Sequence, residues 1–73
     1  MGIFNYRRTG IISWFRTDKG YGFIKPDDNS KDVFLHLKEL EKIGLNDIDK
    51  GQRLSFEIRK KKNKLSAINI KLV

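Results

Sequence analysis

Lys19-Gly20-Tyr21-Gly22-Phe23-Ile24-Lys25 and Asp32-Val33-Phe34-Leu35-His36-Leu37 are the two stretches whose reading decides the fold. Each alternates with the period of two that marks a half-buried strand. In the first, Lys19, Tyr21 and Phe23 share one face and Ile24 lies on the other. In the second, Val33, Leu35 and Leu37 oppose Phe34 and His36. If Ile24, Val33 and Leu35 face a core, then Tyr21, Phe23, Phe34 and His36 face outward. A register slip of one residue does not relieve this, because it buries Lys19 and Asp32 instead. Outward clusters of large flat side chains are the informative kind of exposure.

The flanking sequence supplies the rest of a small all-β unit. Residues 9–16, TGIISWFR, are β-branched and aromatic, and a turn cluster at Asp18, Lys19 and Gly20 follows. Pro26 is expected to end the second strand, with a turn over residues 26–30. Residues 37–44 place apolar side chains at 37, 40 and 43 before Gly44, which reads as one or two helical turns. Gly51 opens a strand over 53–58, with Leu54, Phe56 and Ile58 on one face and Phe56 in the core. Arg59–Lys64 is expected to be a charged loop or hairpin tip, and residues 65–73 alternate once more. Five short strands with one abbreviated helical connection suggest a closed barrel.

Composition narrows the class. Seventy-three residues make a single domain with a thin core, since chains of this size bury only about 60% of their unfolded surface. The absence of cysteine and the single histidine exclude disulfide frameworks and a protein zinc cage, so no metal or cofactor is expected. The 23 Ile, Leu, Val and Phe residues are too many for a disordered chain. Net charge is +7, and residues 51–73 carry +6 of it. Such an excess attracts polyanions. The first ten residues lack the apolar core of a secretion signal, and Tyr6 stands where a myristoylation site needs Ser or Thr. No apolar run approaches the ~20 residues that span a bilayer. The expectation is a cytoplasmic protein with no membrane association, monomeric by default.

The outward aromatics suit one kind of chemistry. Five of the eight aromatics and the only histidine fall within residues 14–36. Every nucleobase has a π-face, and each base–aromatic stack is worth roughly 1–3 kcal/mol whatever the base. Trp14, Tyr21, Phe23, Phe34 and His36 are the stacking candidates, with Arg16, Lys19 and Lys25 interleaved to meet phosphates. Phe15 stands between two positions, core edge and binding surface. Strict alternation from Ile12 puts Trp14 inside and Phe15 outside, so only a bulge or bend exposes both. Lys60, Lys62 and Lys64 are further candidates for phosphate contact, against the plainer reading of a solvated loop. Arg7 and Arg8 are equally open.

The same residues carry a family resemblance. Lys19-Gly20-Tyr21-Gly22-Phe23-Ile24 resembles the first ribonucleoprotein motif of bacterial cold-shock proteins, and Val33-Phe34-Leu35-His36 the second. Thr9-Gly10-Ile11 through Trp14-Phe15 is similar to the family's first strand, and Pro26-Asp27-Asp28 to its first turn. Ser30-Lys31-Asp32, Asp49-Lys50-Gly51-Gln52, Ser55-Phe56 and Ala67-Ile68-Asn69-Ile70 continue the likeness, so that residues 9–70 follow the pattern without a gap and residues 1–8 precede it. The resemblance implies a five-stranded antiparallel OB-type barrel that binds single-stranded RNA and DNA and acts as an RNA chaperone. It also implies a role in transcription or translation during cold or stress adaptation.

Departures from the pattern shift the expected balance. Ser13 stands where the family usually has lysine, which removes a phosphate contact. Leu37 and Leu45 replace aromatics, which removes stacking partners. A Gly-rich loop gives way to the five positive charges of Arg59–Lys64. Weaker stacking and stronger non-specific electrostatics are expected in consequence. Three other classes compare less well. An RNA-recognition motif needs the two motifs in the opposite order and two real helices. A ribosome- or protein-docking barrel, similar to a small translation initiation factor, does not need clustered stacking groups. A nucleic-acid-processing enzyme needs a carboxylate cluster for metal, whereas Asp27-Asp28 lies in a turn beside lysines, and His36 has no carboxylate placed to orient it as a base.

Overall fold

The computed structural model describes residues 7–73. The first six residues of the expected N-terminal extension lie outside the described residues. Strands β1 (Arg8–Arg16), β2 (Tyr21–Pro26) and β3 (Val33–His36) are followed by helix α1 (Leu37–Glu41), then β4 (Arg53–Lys61) and β5 (Lys64–Leu72). The strands close into a barrel in the order β1-β2-β3-β5-β4. The expected five-stranded antiparallel barrel forms, with one parallel seam where β3 pairs with β5 at Phe34 and Ser66. Parity requires it: around a closed ring of five strands, direction cannot alternate at every step.

Alternation placed the core correctly along β2 and β3 and at Leu54 and Phe56 of β4. Ile12, Ile24, Val33, Leu35, Leu40, Ile48, Leu54, Phe56, Ala67 and Ile70 form one buried cluster, and among the described residues no polar or charged side chain is buried with them. Ile24 and Val33 are register partners, as are Phe23 and Phe34 on the opposite face. The inner and outer faces of β2 and β3 therefore separate as the sequence pattern demands.

Strand β1 carries the irregularity that the aromatic pattern called for. Its register against β2 shifts between Ile12, which pairs with Ile24, and Trp14, which pairs with Phe23. The extra residue at Ser13 turns Trp14 to the outer face, where it is 39% exposed. The bulge folds β1 across Gly22. A β-carbon there would collide with the Trp14 carbonyl and with both the backbone and ring of Phe15. Gly22 is thus the residue that lets the bulge sit flat on β2.

Helix α1 is short but well closed. The His36 Nδ1 accepts the backbone N–H of Lys38, which caps its start. At the other end Gly44 adopts φ +81°, with its N–H donated to Glu41 and the Leu45 N–H donated to Leu40. Leu40 fills the core, and Leu37 and Leu45 pack partly against it. These two leucines support the barrel where aromatics were expected to be missed.

The basic run is more ordered in its backbone than a loop. Strand β4 continues to Lys61, which pairs with Lys64, leaving only Lys62 and Asn63 in the turn. Lys62 takes the left-handed backbone conformation, φ 56°, that such a two-residue turn needs. Arg59–Lys64 is therefore a hairpin tip with paired strands on both sides.

Candidate nucleic-acid interface

Three strands position one aromatic surface. Register pairs Trp14 with Phe23, Phe23 with Phe34, and Tyr21 with His36 across β1, β2 and β3. Ring centroids of Trp14 and Phe23 lie 5.4 Å apart, and those of Phe23 and Phe34 5.8 Å apart. Tyr21 stacks on Phe34 at 5.5 Å and meets Trp14 edge-on at 5.7 Å. Phe34 and His36 are 6.2 Å apart. These separations fall in the range of favourable ring pairs, so the cluster orders itself before any ligand arrives. Trp14, Tyr21, Phe23, Phe34 and His36 are brought together.

Phe15 is not. It pairs with Gly22 and packs against the hydrophobic core on the inner side of β1. The bulge that exposes Trp14 also resets the alternation, so the next residue turns inward. Of its two sequence readings, the structure gives Phe15 the core edge.

The cations divide into paired and unpaired groups. Five ion pairs among the described residues engage Arg7, Arg8, Arg16, Lys42 and Arg53. Arg7 also donates to Ser55 and to the Asn69 carbonyl, which ties the start of the described chain to β4 and β5. Arg8 pairs with Asp28. Both arginines left open by the sequence are thus engaged in holding the barrel. Arg16, a candidate for phosphate contact, makes two bonds to Asp18, at 3.1 and 2.9 Å. Those bonds hold the Asp18 carboxyl below the usual carboxylate range and raise the guanidinium further. The carboxylates of the 26–30 turn are occupied as well. Arg53 and Thr9 hold Asp27 below its ordinary value, and Ser30 does the same for Asp28.

Lys19 and Lys25, both exposed, bracket the aromatic surface along β2. Lys19 sits in the β1–β2 turn beside Tyr21, and Lys25 lies two residues beyond Phe23 on the same face. Lys64 takes a place that the sequence did not suggest, its Nζ lying 3.7 Å from the centroid of the Phe34 ring. That is a cation–π contact within the aromatic surface. Arg59, Lys61, Lys62 and Lys64 line a groove of about 440 Å³ that shares Phe34 and His36 with the platform. Lys60 does not line it. Alternation through β4 sends Arg59 and Lys61 to one face of the hairpin and Lys60 to the other. In the sequence Arg59 and Lys61 stood among the positive charges of the 59–64 run without being set apart from Lys60. Continuing the period of two past Ile58 separates them.

His36 has a defined role in this geometry. Because its Nδ1 accepts from Lys38, the neutral ring carries its proton on Nε2. That N–H is available to donate to a phosphate oxygen or a base carbonyl.

Comparison with known proteins follows the same lines. The family model described as the 'Cold-shock' DNA-binding domain matches residues 8–73. The chain belongs to the cold-shock domain family. It is 47% identical over 64 residues to a probable cold shock protein of Sinorhizobium fredii, covering 85% of this chain and 93% of that one. It is 38% identical over 64 residues to the cold shock-like protein CspG of Escherichia coli, covering 88% and 91%. Among solved structures it resembles the Drosophila Unr fragment CSD456, with a TM-score of 0.77 and 26% identity. That match covers 94% of this chain and spans 27% of the longer Unr chain. Cold-shock domain proteins bind nucleic acid and are not enzymes.

Proposed function

We propose that this protein binds single-stranded RNA and DNA and acts as an ATP-independent RNA chaperone. The continuous platform of Trp14, Tyr21, Phe23 and Phe34, set on three paired strands, carries the reading. Each ring offers a surface to an unpaired base, and a duplex keeps those base faces stacked on one another. Lys19 and Lys25 beside the platform supply sequence-independent contacts to phosphates. A ribosome- or protein-docking barrel would not require four rings to converge on one outer face.

Chaperone action follows from binding one state only. A ligand of the open strand stabilises it by about 2.7 kcal/mol at a hundredfold excess over Kd, without ATP. That is enough to open weak hairpins and too little to melt long duplexes. The protein works in this reading as a cytoplasmic monomer, loosening RNA structure where cold or stress makes weak pairing persist. A fluorophore–quencher hairpin of marginal stability should open in proportion to protein concentration. No opening at saturating protein would leave strand binding in place and remove the chaperone role.

A further inference from the structure

His36 ends β3 and caps α1 at once. Its Nδ1 accepts the Lys38 N–H at 3.1 Å, so a ring that borders the aromatic platform is oriented by a helix of five residues. A helix this short does not hold its own shape in water. Its seat on the barrel therefore decides where the Lys38 N–H points. Three contacts make that seat. The Leu37 N–H donates to the Gly20 carbonyl at 2.9 Å, Leu40 is fully buried, and the Glu39 carboxylate reaches across to β5.

The Glu39 contact depends on an irregularity in β5. The ladder pairs Ser55 with Lys71 and Glu57 with Ile68, so Asn69 and Ile70 together face Phe56. Asn69 takes the left-handed conformation there, φ 50°, which asparagine tolerates better than most residues. Its N–H donates to Glu39 Oε1 at 3.3 Å, and its carbonyl accepts from Arg7 at 2.6 Å. The second carboxylate oxygen, Oε2, accepts from Lys42 Nζ at 3.0 Å. With its side chain only 14% exposed, Glu39 is a fixed bridge between α1 and the β5 bulge. It also lines the groove that holds Phe34 and His36.

We infer that Glu39 is a positioning residue of the nucleic-acid interface. By holding α1 to the Asn69 bulge it keeps the Lys38 N–H on His36 Nδ1, and so keeps the Nε2–H of His36 presented to the bound strand. Without the bridge α1 shifts, and Nδ1 loses its donor. The ring is then free to turn and to carry its proton on either nitrogen. This rests on the single-strand reading above and adds to it a residue that itself contacts no base. Plain electrostatics predicts the opposite sign, because a carboxylate beside a polyanion repels it and its removal strengthens binding.

Comparing E39Q with E39A separates the two effects, since both lose the charge and only E39Q keeps an acceptor for the Asn69 N–H. Oligo(dT) is titrated against Trp14 fluorescence with the full chain, in the parent and in a His36→Ala background. E39A should bind about fivefold more weakly than E39Q, the worth of one hydrogen bond to the strand. With alanine at position 36 the two should bind alike. Nitrogen NMR of the neutral His36 ring, at alkaline pH, should show the proton on Nε2 in the parent and in E39Q, and on both nitrogens in E39A. E39A binding as tightly as E39Q would overturn the inference. So would a gap that persists without His36, which marks a general loosening of the fold, or a single tautomer in E39A. If E39A is too unstable to titrate, E39D keeps the charge and shortens the reach, and it is compared with the parent on the same terms. Absence of Trp14 quenching in the parent would overturn the single-strand reading as well, whereas the other failures leave that reading intact.

Discussion

The Trp14 carbonyl lies over Gly22 so closely that no β-carbon fits between the two strands. That contact couples the bulge in β1 to the composition of β2. Trp14 reaches the outer face because Ser13 is extra in the ladder, and the ladder tolerates the extra residue because position 22 has no side chain. The aromatic platform therefore depends on a glycine that stacks nothing.

Gly22→Ala should accordingly cost stability and binding together. Overpacking of this kind costs roughly 1–3 kcal/mol. Relief by straightening β1 would turn Trp14 away from Phe23. The variant should show a lowered melting temperature, a shifted Trp14 emission and weaker oligo(dT) binding. Unchanged emission would show that the bulge survives a β-carbon.

The two faces of the barrel should respond oppositely to loss of a ring. Phe23→Ala and Phe34→Ala should each weaken single-strand binding by roughly 1–3 kcal/mol. Their cost in stability should be about 1 kcal/mol, since only ring–ring contacts are lost. Phe56 is fully buried, and Phe56→Ala should lose about 3–5 kcal/mol of stability. Thermal melts and fluorescence titrations of the three variants check this. Failure of the Phe23 or Phe34 variant to fold would invert the assignment of faces.

Asp27 ties three strands at one end of the barrel through Thr9 on β1 and Arg53 on β4. Its carboxyl is held below the ordinary value, chiefly by the Arg53 guanidinium and then by Thr9. A lowered folded-state value means that the contribution is complete above the unfolded value, near pH 4, and disappears as pH falls through the folded one. Asp27→Asn should therefore melt below the parent at neutral pH, and the gap should close progressively below about pH 4. A gap that stays constant into strong acid would assign the loss to packing.

Arg16 faces a competition. Its guanidinium is shared with Asp18 across an exposed pair, so a phosphate has to compete with that carboxylate. Asp18→Asn frees the arginine and removes a like charge to the ligand. Affinity for oligo(dT) should rise by up to about fivefold at low salt and converge with the parent at high salt. A fall in affinity would mean that Asp18 holds Arg16 in its binding position.

Much of this was legible in the sequence wherever one face of a strand is buried. Burial of Ile24, Val33 and Leu35 pins the register of β2 and β3, so Tyr21, Phe23, Phe34 and His36 had one available side. The β1 bulge was legible only as a condition on exposing Trp14 and Phe15 together. The structure meets half of it, exposing Trp14 and turning Phe15 inward. Beyond Ile58 the sequence left a charged loop and a hairpin tip both open, for a different reason. The hairpin's ladder is held by backbone bonds, and a run of lysines offers no apolar alternation to reveal it. The meeting of Lys64 with Phe34 depends on the parallel β3–β5 pairing, a non-local contact that local patterns do not encode.

The central claim is that the aromatic platform selects unpaired strands. It is tested most directly by titrating Trp14 fluorescence with an oligo(dT) strand of about six to eight nucleotides and with a duplex of equal length. The account predicts strong quenching by the single strand and little by the duplex at moderate salt, where phosphate attraction alone is weak. Equal quenching by the two would contradict it.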